Sequence, residues 1–334
     1  MESMDIRKNA LTHWLSEEGG FSVQHLKAMT GDASFRRYFR LIEGDKTLVA
    51  VDAPPPEKCA PFIAIANALR TYSVCTPEII MADVSRGFLL LSDFGDHTFL
   101  KILSLQNADH LYTEALKTLA QIARCQSVTD HEIPPFTREF MWQEWAWHKE
   151  WYLHKYLGLD VIPKESELDA CYALLAESAA TQPQVFMHRD YHSGNLMLLS
   201  NGFVGVLDFQ DAFIGPLTYD LASLLRDCYI DWPEDFVRKW ALSYFNLLQQ
   251  FPEFTSIDTH TFLRWFDLMG IQRHLKALLT FARKKVRDHQ SNYLSFMPRT
   301  LNYITTVSAH YAELKPLTDF YRQFETISET VCEP

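Results

Sequence analysis

The sequence predicts an α+β fold with two lobes, a small β-rich lobe followed by a larger helical lobe. Three observations indicate it. Short β-segments fill roughly the first 95 residues, long helical patterns dominate after Asp96, and one β interlude at Val185–Asp208 interrupts them. The chain of 334 residues also exceeds the usual size of a single hydrophobic core. We therefore expect an N-terminal lobe over residues 1–95 and a helical C-terminal lobe over residues 96–334.

In the first lobe the pattern is strands around one helix. A turn at Gly44 separates two of the strands, and the run Pro54–Pro56 ends the sheet. The predicted strands are Phe35–Leu41, Thr47–Val51, Glu78–Met81 and Gly87–Leu91, with a helix at Glu57–Thr71.

Composition and charge exclude several classes of protein. Hydrophobic residues make up 47% and charged residues 22% of the chain, which is a globular balance. The net charge of −11 argues against broad binding to nucleic acid or to an anionic membrane. No signal peptide or membrane-spanning run is visible, and the six cysteines form no CxxC pair. We expect a cytoplasmic protein with reduced thiols and no evident protein partner.

The segment Phe186–Asp211 carries the strongest functional pattern. Asn201-Gly202 predicts a two-residue hairpin turn, and counting outward from it places Asn195 opposite Asp208. A carboxamide and a carboxylate so placed suit one Mg²⁺ ion held together with substrate phosphates. Asp190, five residues before Asn195, is the candidate for orienting an attacking hydroxyl and accepting its proton. The alternative is three unrelated polar loop residues.

The same segment resembles a known superfamily. HRDYHSGN resembles the catalytic loop of protein kinases, and Asp208-Phe209-Gln210 stands where they have Asp-Phe-Gly. The Gln, the following GPLTYDLASLL and the helical tail resemble the aminoglycoside phosphotransferase group of small-molecule kinases. This resemblance covers essentially the whole chain. It implies a two-lobed protein-kinase-like fold, ATP and Mg²⁺ as cofactors, and a bracing role for Asp220, which is otherwise a helix N-cap.

Two segments of the first lobe are candidates for nucleotide binding. Asp93-Phe94-Gly95, which follows Ser92, is a second D-F-G tripeptide, but it precedes the catalytic loop. We therefore interpret Ser92, Asp93 and Phe94 as the hinge that meets the adenine. A loop before the strand FRRYFRL is positioned to cover the phosphates with backbone N–H groups, although a simple β-turn is the alternative. Its residues are Gly31, Asp32, Ala33 and Ser34.

The strand LVAVD stands where kinases have V-A-I-K, with Asp52 in the place of the lysine. On the neighbouring strand Arg37 shares a face with Phe39 and Leu41, and Arg36 lies on the other face. We therefore expect Arg37 to supply the cation that binds phosphate. Alternatively, Arg37 pairs with Asp52 or Glu57 for purely structural reasons.

A more specific resemblance concerns the acceptor. Segments of both lobes, such as GDASFRRYFRL, VDAPPPE and MGIQRHLKALLTFARKKVRD, resemble bacterial cell-wall amino-sugar kinases. That resemblance implies phosphorylation of the anomeric hydroxyl of N-acetylmuramate or N-acetylglucosamine in peptidoglycan recycling, with a small sugar as the substrate. Candidate sugar-binding residues are Glu144, Asp211, Arg273 and His274. A Trp-rich core around Glu144 and a solvated helix face at Arg273 and His274 are the alternatives.

Other functions share part of this pattern. A nucleotide-binding module without turnover would explain the missing lysine, although Asp190, Asn195 and Asp208 are all present. A protein kinase is disfavoured because no Ala-Pro-Glu tripeptide and no extended activation segment follow Asp208. Kinases for choline, homoserine or aminoglycosides remain the enzymatic alternative.

Overall fold

The computed structural model describes residues 5–29 and 35–324, and this part of the chain forms two compact units. The sheet unit comprises the residues up to Thr98 together with Ser127–Glu132 and Leu196–Gln210. The helical unit comprises Phe99–Gln126, Ile133–Asn195 and the residues from Asp211 onward. The loop residues Gly31, Asp32, Ala33 and Ser34 lie outside the described residues.

The sheet unit is built on an antiparallel sheet of order β1-β2-β3-β5-β4, with one helix on each face. A separate short hairpin, β7–β8, belongs to the same unit. The elements are α1 (Ile6–His13), β1 (Leu26–Ala28), β2 (Arg37–Glu43), β3 (Lys46–Asp52), α2 (Cys59–Thr71), β4 (Ile79–Asp83), β5 (Phe88–Ser92), and later β7 (Leu196–Leu198) and β8 (Val204–Val206).

The two faces of the sheet are covered by different helices. Asp5 caps α1, since its carboxylate accepts the Lys8 N–H at 3.0 Å. The apolar residues of α1 and of the turn after it pack on the face that carries Phe39 and Leu41. Residues of α2 pack on the opposite face, beside Tyr38. Burial on both faces fixes the strand register, because a slip of one residue would exchange the faces.

The helical unit consists of packed helices and one strand pair, β6–β9. The longest helix, α9, is capped by Asp258, whose carboxylate accepts the Thr261 N–H at 3.0 Å. The elements are α3 (Phe99–Ile102), α4 (Ala108–Ala123), α5 (Arg138–His148), α6 (Glu165–Ala180), β6 (Gln184–Met187), β9 (Phe213–Pro216), α7 (Tyr219–Leu225), α8 (Glu234–Leu248), α9 (Thr259–Asp288), α10 (Met297–Ser308) and α11 (Lys315–Arg322). Among the helices of residues 5–29 and 35–324, none combines the length and apolar character needed to cross a bilayer.

Candidate active site

The loop that carries Asp190 begins where β6 ends, and a buried carboxylate holds its start. Asp220 in the first turn of α7 accepts the backbone N–H groups of His188 at 2.6 Å and Arg189 at 2.8 Å. These bonds fix the backbone at Arg189, whose φ is 81°. Burial raises the pKa of Asp220, partly offset by His188 and the two N–H donors. The bracing role that the sequence resemblance implies for Asp220 matches these bonds.

A second buried carboxylate holds the far end of the same loop. Asp227 accepts the backbone N–H of Ser193 at 3.0 Å and the Ser193 hydroxyl at 2.5 Å. The amide nitrogen of Asn195 donates to the Asp190 carbonyl at 2.9 Å, which closes the loop on itself. Sequence reasoning missed Asp227, which lies two residues beyond the end of α7 and seven residues after Asp220.

The carboxylate of Asp190 lies against two cations of α9. Arg273 Nη2 is 3.4 Å and Lys276 Nζ is 3.5 Å from Asp190 Oδ1. Burial opposes ionisation of Asp190, but these cations outweigh it and hold its pKa far below the ordinary range. Burial also lowers the pKa of Lys276 to about 8, although Asp190 partly counteracts this shift. Asp190 is therefore ionised throughout the neutral range.

Asp190 borders a cavity of about 250 Å³ inside the helical unit. Pockets for drug-sized ligands run from roughly 300 to 1,000 Å³, so this cavity suits a molecule the size of one sugar. Arg273 enters it from α9 and also donates to the Ser223 hydroxyl at 3.0 Å. Charged groups dominate the lining, among them Arg189, Asp190, Asp227, Arg273, Lys276 and Arg283.

Glu144 and Arg273, two of the candidate substrate residues, lie close to this cavity. Glu144 on α5 is 5% exposed, and Arg189 Nη2 lies 3.9 Å from its carboxylate. Burial raises the pKa of Glu144, while the nearby charges of Lys276 and Arg189 lower it. The neighbouring Trp145 is buried against Tyr172, so that part of α5 is core, as the alternative interpretation expected.

His274 and Asp211 do not line the cavity. The His274 ring is buried, with Nε2 at 2.9 Å from the Arg226 carbonyl oxygen, and it stacks on Tyr303. Burial lowers the pKa of His274 to about 3, so the ring is neutral at pH 7. It faces away from Arg273 because successive residues of a helix point about 100° apart. Asp211 is exposed just before β9.

In the sheet unit, the tripeptide Asp93-Phe94-Gly95 follows β5, and contacts of the Asp93 carboxylate hold it in place. The Asp93 carboxylate forms an ion pair with Arg40, whose Nε is 2.6 Å away, and accepts the Gly95 N–H at 2.9 Å. The Phe94 ring packs on Gly205, where an added Cβ would lie 2.6 Å from a ring carbon. Ser92 ends β5 and accepts the Glu78 N–H at 2.9 Å. The Asp93 carboxylate is thus bound within its own unit.

Arg37 lies on the strand face predicted for it, and carboxylates of the sheet unit bind its guanidinium. Arg37 shares a face with Phe39 and Leu41, but that face packs on α1. Its guanidinium pairs with Asp52, whose side chain is fully buried, and with Asp5. These contacts correspond to the structural alternative considered for Arg37.

The side chain of Asp52 lies on the face of the sheet that α1 covers. Arg7 Nε donates to Asp52 Oδ1 at 2.8 Å. The opposite face of the sheet carries Tyr38 and Val51. The pKa of Tyr38 is raised, mainly by burial, and the nearby charge of Asp208 adds to this increase. Arg36 is on this face and forms an ion pair with Glu57 at 2.9 Å. Arg36, which directly precedes β2, thus lies on the same face as Tyr38.

The hairpin register differs by one residue from the prediction. Leu196 pairs with Val206 and Leu198 with Val204, so the ladder does not set Asn195 opposite Asp208. The reason is a three-residue loop, in which Gly202 at φ 84° donates to the Leu199 carbonyl.

Asp208 and Asn195 nevertheless have the donor chemistry that Mg²⁺ requires. Asp208 is an exposed carboxylate that accepts Gln210 Nε2 at 2.8 Å, and Phe209 beside it is buried against Phe62. Since the Asn195 amide nitrogen is used as a donor, the atom that the side chain offers to a cation is its Oδ1 oxygen. Mg²⁺ needs few protein ligands, because it keeps several waters and binds substrate phosphates as well.

Residues 25–265 match the family described as Phosphotransferase enzyme family (APH), and the chain belongs to this family of phosphotransferases. Three curated relatives carry the name N-acetylmuramate/N-acetylglucosamine kinase. The relative from Pseudomonas aeruginosa is 41% identical over 94% of this chain and 96% of its own length. The relative from Pseudomonas putida is 37% identical over 97% and 98%. The relative from Neisseria meningitidis is 37% identical over 93% and 94%.

Solved structures confirm the kinase-like fold. A choline kinase from Streptococcus pneumoniae matches 90% of this chain and 100% of its own, with a TM-score of 0.64 at 11% identity. An ethanolamine kinase from Plasmodium vivax matches 96% of this chain and 92% of its own, with a TM-score of 0.63 at 12% identity. At such low identity the likeness concerns the fold alone.

Proposed function

We propose that this phosphotransferase transfers the γ-phosphoryl group of ATP to the anomeric hydroxyl of N-acetylmuramate and N-acetylglucosamine. The observation that carries the proposal is the name shared by the relatives, at 37–41% identity over nearly full length. We further propose a role in peptidoglycan recycling in the cytoplasm, which is the role that the resemblance to cell-wall amino-sugar kinases implies.

In this proposal the acceptor hydroxyl attacks the γ-phosphorus, the bond to the bridging oxygen of ADP breaks, and Asp190 receives the hydroxyl proton. Asp190 orients the hydroxyl, and the braces from Asp220 and Asp227 keep its loop in place. Asn195 and Asp208 are the proposed ligands of Mg²⁺, which neutralises charge on the phosphates when bound. The segment Ser92–Phe94 is the proposed contact for the adenine.

The charge of the cavity argues against the alternative acceptors. Choline and the aminoglycosides are cations, and they would have to enter a cavity lined by Arg189, Arg273, Lys276 and Arg283. Like charges brought together inside a protein repel strongly, because the interior screens them poorly. A neutral or anionic sugar meets no such penalty.

A substrate panel tests the proposal. Purified protein is supplied with Mg-ATP and with each amino sugar, an aminoglycoside, choline or homoserine, and the products are examined by NMR. We expect turnover of the two amino sugars and a 1-phosphate product, recognised by an anomeric proton coupled to phosphorus. A 6-phosphate, or turnover of choline with no turnover of either sugar, would reject this acceptor and leave the phosphotransferase class intact.

A further inference from the structure

Cations line up along one side of α9. Arg273, Lys276 and Arg283 are spaced three and seven residues apart, which sets them on one side of the helix, and all three border the cavity next to Asp190. The chain as a whole has a net charge of −11, so this positive cavity runs against the overall charge. A local excess of cations in an acidic protein calls for a specific explanation.

Most of these cations already have a carboxylate partner. Arg273 and Lys276 share Asp190. Arg226, which also borders the cavity, pairs with Glu234 at 2.9 Å and with Asp267 at 3.1 Å. Each of these three cations therefore has a carboxylate within 3.5 Å.

Arg283 is different. Over residues 5–29 and 35–324, no carboxylate lies within ion-pair distance of its guanidinium. Its buried Nε, like the Nε atoms of Arg226 and Arg273, has no hydrogen-bond partner. Burial, the neighbouring Arg287 and, further off, Arg189 lower the pKa of Arg283, while Asp288 acts in the opposite direction. Asp288 itself pairs with Lys284 and Arg287. A half-buried guanidinium without a counter-ion is a receptor for an anion.

Arg189, which also borders the cavity, is in a similar condition. Its buried Nε lacks a hydrogen-bond partner, and its one carboxylate neighbour, Glu144, is 3.9 Å away. The guanidinium lies over the rings of Phe213 and Phe140, which hold it in place without neutralising it. An anion in this part of the cavity would meet two incompletely satisfied guanidinium groups.

The helix also sets the distance between the anion and the reacting hydroxyl. Lys276 marks the position of Asp190, and Arg283 is seven residues further, about 10 Å along the axis at 1.5 Å per residue. The acceptor that fits carries an anionic group several ångströms from its reacting hydroxyl. N-acetylmuramate has this form, because its carboxylate is on the lactyl ether at C3 and its reacting hydroxyl is at C1. N-acetylglucosamine has no carboxylate.

Resting on the proposed function, we propose that Arg283, assisted by Arg189, binds the carboxylate of the acidic amino sugar. Arg283 is then the residue that favours N-acetylmuramate over N-acetylglucosamine. Arg273 and His274, two of the sugar-binding candidates from the sequence, do not suit this role. Arg273 is committed to Asp190 and Ser223, and His274 is neutral and does not border the cavity.

The test compares Arg283→Met with Arg287→Met. Arg287 is one helical turn further along α9, is paired with Asp288 and does not border the cavity. A hydrogen-bonded charge contact in a binding site is worth about a tenfold to hundredfold change in affinity. Arg283→Met should lower kcat/KM for N-acetylmuramate by about that factor, mainly through KM, and should affect N-acetylglucosamine far less. Arg287→Met should leave the ratio of the two kcat/KM values unchanged.

Arg283→Lys separates charge from general disruption. It keeps the positive charge but not the planar fork, so it should recover part of the loss for N-acetylmuramate. Equal losses with both sugars in Arg283→Met, or no loss, would overturn the role of Arg283 while the sugar kinase activity stands. If the wild-type protein turns over neither sugar, both the proposed function and this inference fail.

Discussion

At the residue scale, Asp190 is held as a carboxylate by its neighbours. With Arg273 and Lys276 within 3.5 Å, its low pKa makes it a weak proton acceptor before substrate binds. In phosphoryl transfer the transition state is loose, and the proton leaves the attacking hydroxyl late. The first contribution of Asp190 is therefore to orient the hydroxyl, and it receives the proton once the new bond to phosphorus has formed.

Asp190→Asn keeps the shape of the side chain but removes its charge. We expect kcat to fall by about 10²–10⁴, the range typical of a lost general base, with little change in ATP affinity. Steady-state kinetics and calorimetry with ATP measure the two quantities. The folded fraction is checked by circular dichroism, because the change leaves Arg273 and Lys276 without their counter-ion. Turnover like that of the wild-type protein would remove Asp190 from the mechanism.

At the scale of single elements, the sequence predicted where the strands lie better than it predicted which helix covers each strand face and how the strands pair. The alternation of β2 was correctly inferred, but the face that serves the site depends on which helix covers each side. The short helix α1 covers the face of Arg37, and its eight residues gave too weak a periodic signal to be anticipated. Likewise, Asn201-Gly202 signals a hairpin but does not distinguish a two-residue from a three-residue loop, so the register was misjudged by one residue.

Arg36, which directly precedes β2, and Arg37, its first residue, should respond differently to replacement. Arg37→Met removes one of the two partners of the buried Asp52 and should lower the free energy of unfolding by about 2 kcal/mol, with little effect on the KM for ATP. Arg36→Met should raise the KM for ATP, because Arg36 is on the face near Asp208. Urea denaturation measures the free energy of unfolding of both variants, and steady-state kinetics measures their KM for ATP. A higher KM in the Arg37 variant alone would contradict our assignment of the strand faces.

At the scale of the whole molecule, fold and acceptor are determined by different features. The kinase-like fold was predictable from the order of β and helical segments and from HRDYHSGN, and choline and ethanolamine kinases share it at 11–12% identity. The charge of the acceptor cavity was not predictable in the same way. It depends on Lys276 and Arg283, and the sequence alone does not show that α9 packs these two side chains beside the catalytic loop.

Ligand binding at the nucleotide site should appear as a change in the stability of the whole chain. A ligand at a hundred times its dissociation constant stabilises the folded state by about 2.7 kcal/mol, which for a chain of this length raises Tm by about 4 °C. We expect Mg-ATP to produce such an increase in the wild-type protein and a smaller one in Asp208→Asn. Asparagine tolerates the positive φ of 61° at this position, so the variant should fold.

ATP with EDTA should raise the Tm of the wild-type protein and of Asp208→Asn equally, because the interaction that the substitution removes is with the metal. Asp45→Asn is the matched control, since Asp45 is an exposed aspartate in a turn of the same unit, and it should respond like the wild-type protein. If Asp208→Asn loses as much stabilisation by ATP with EDTA as by Mg-ATP, Asp208 acts on the nucleotide itself and the metal assignment is wrong.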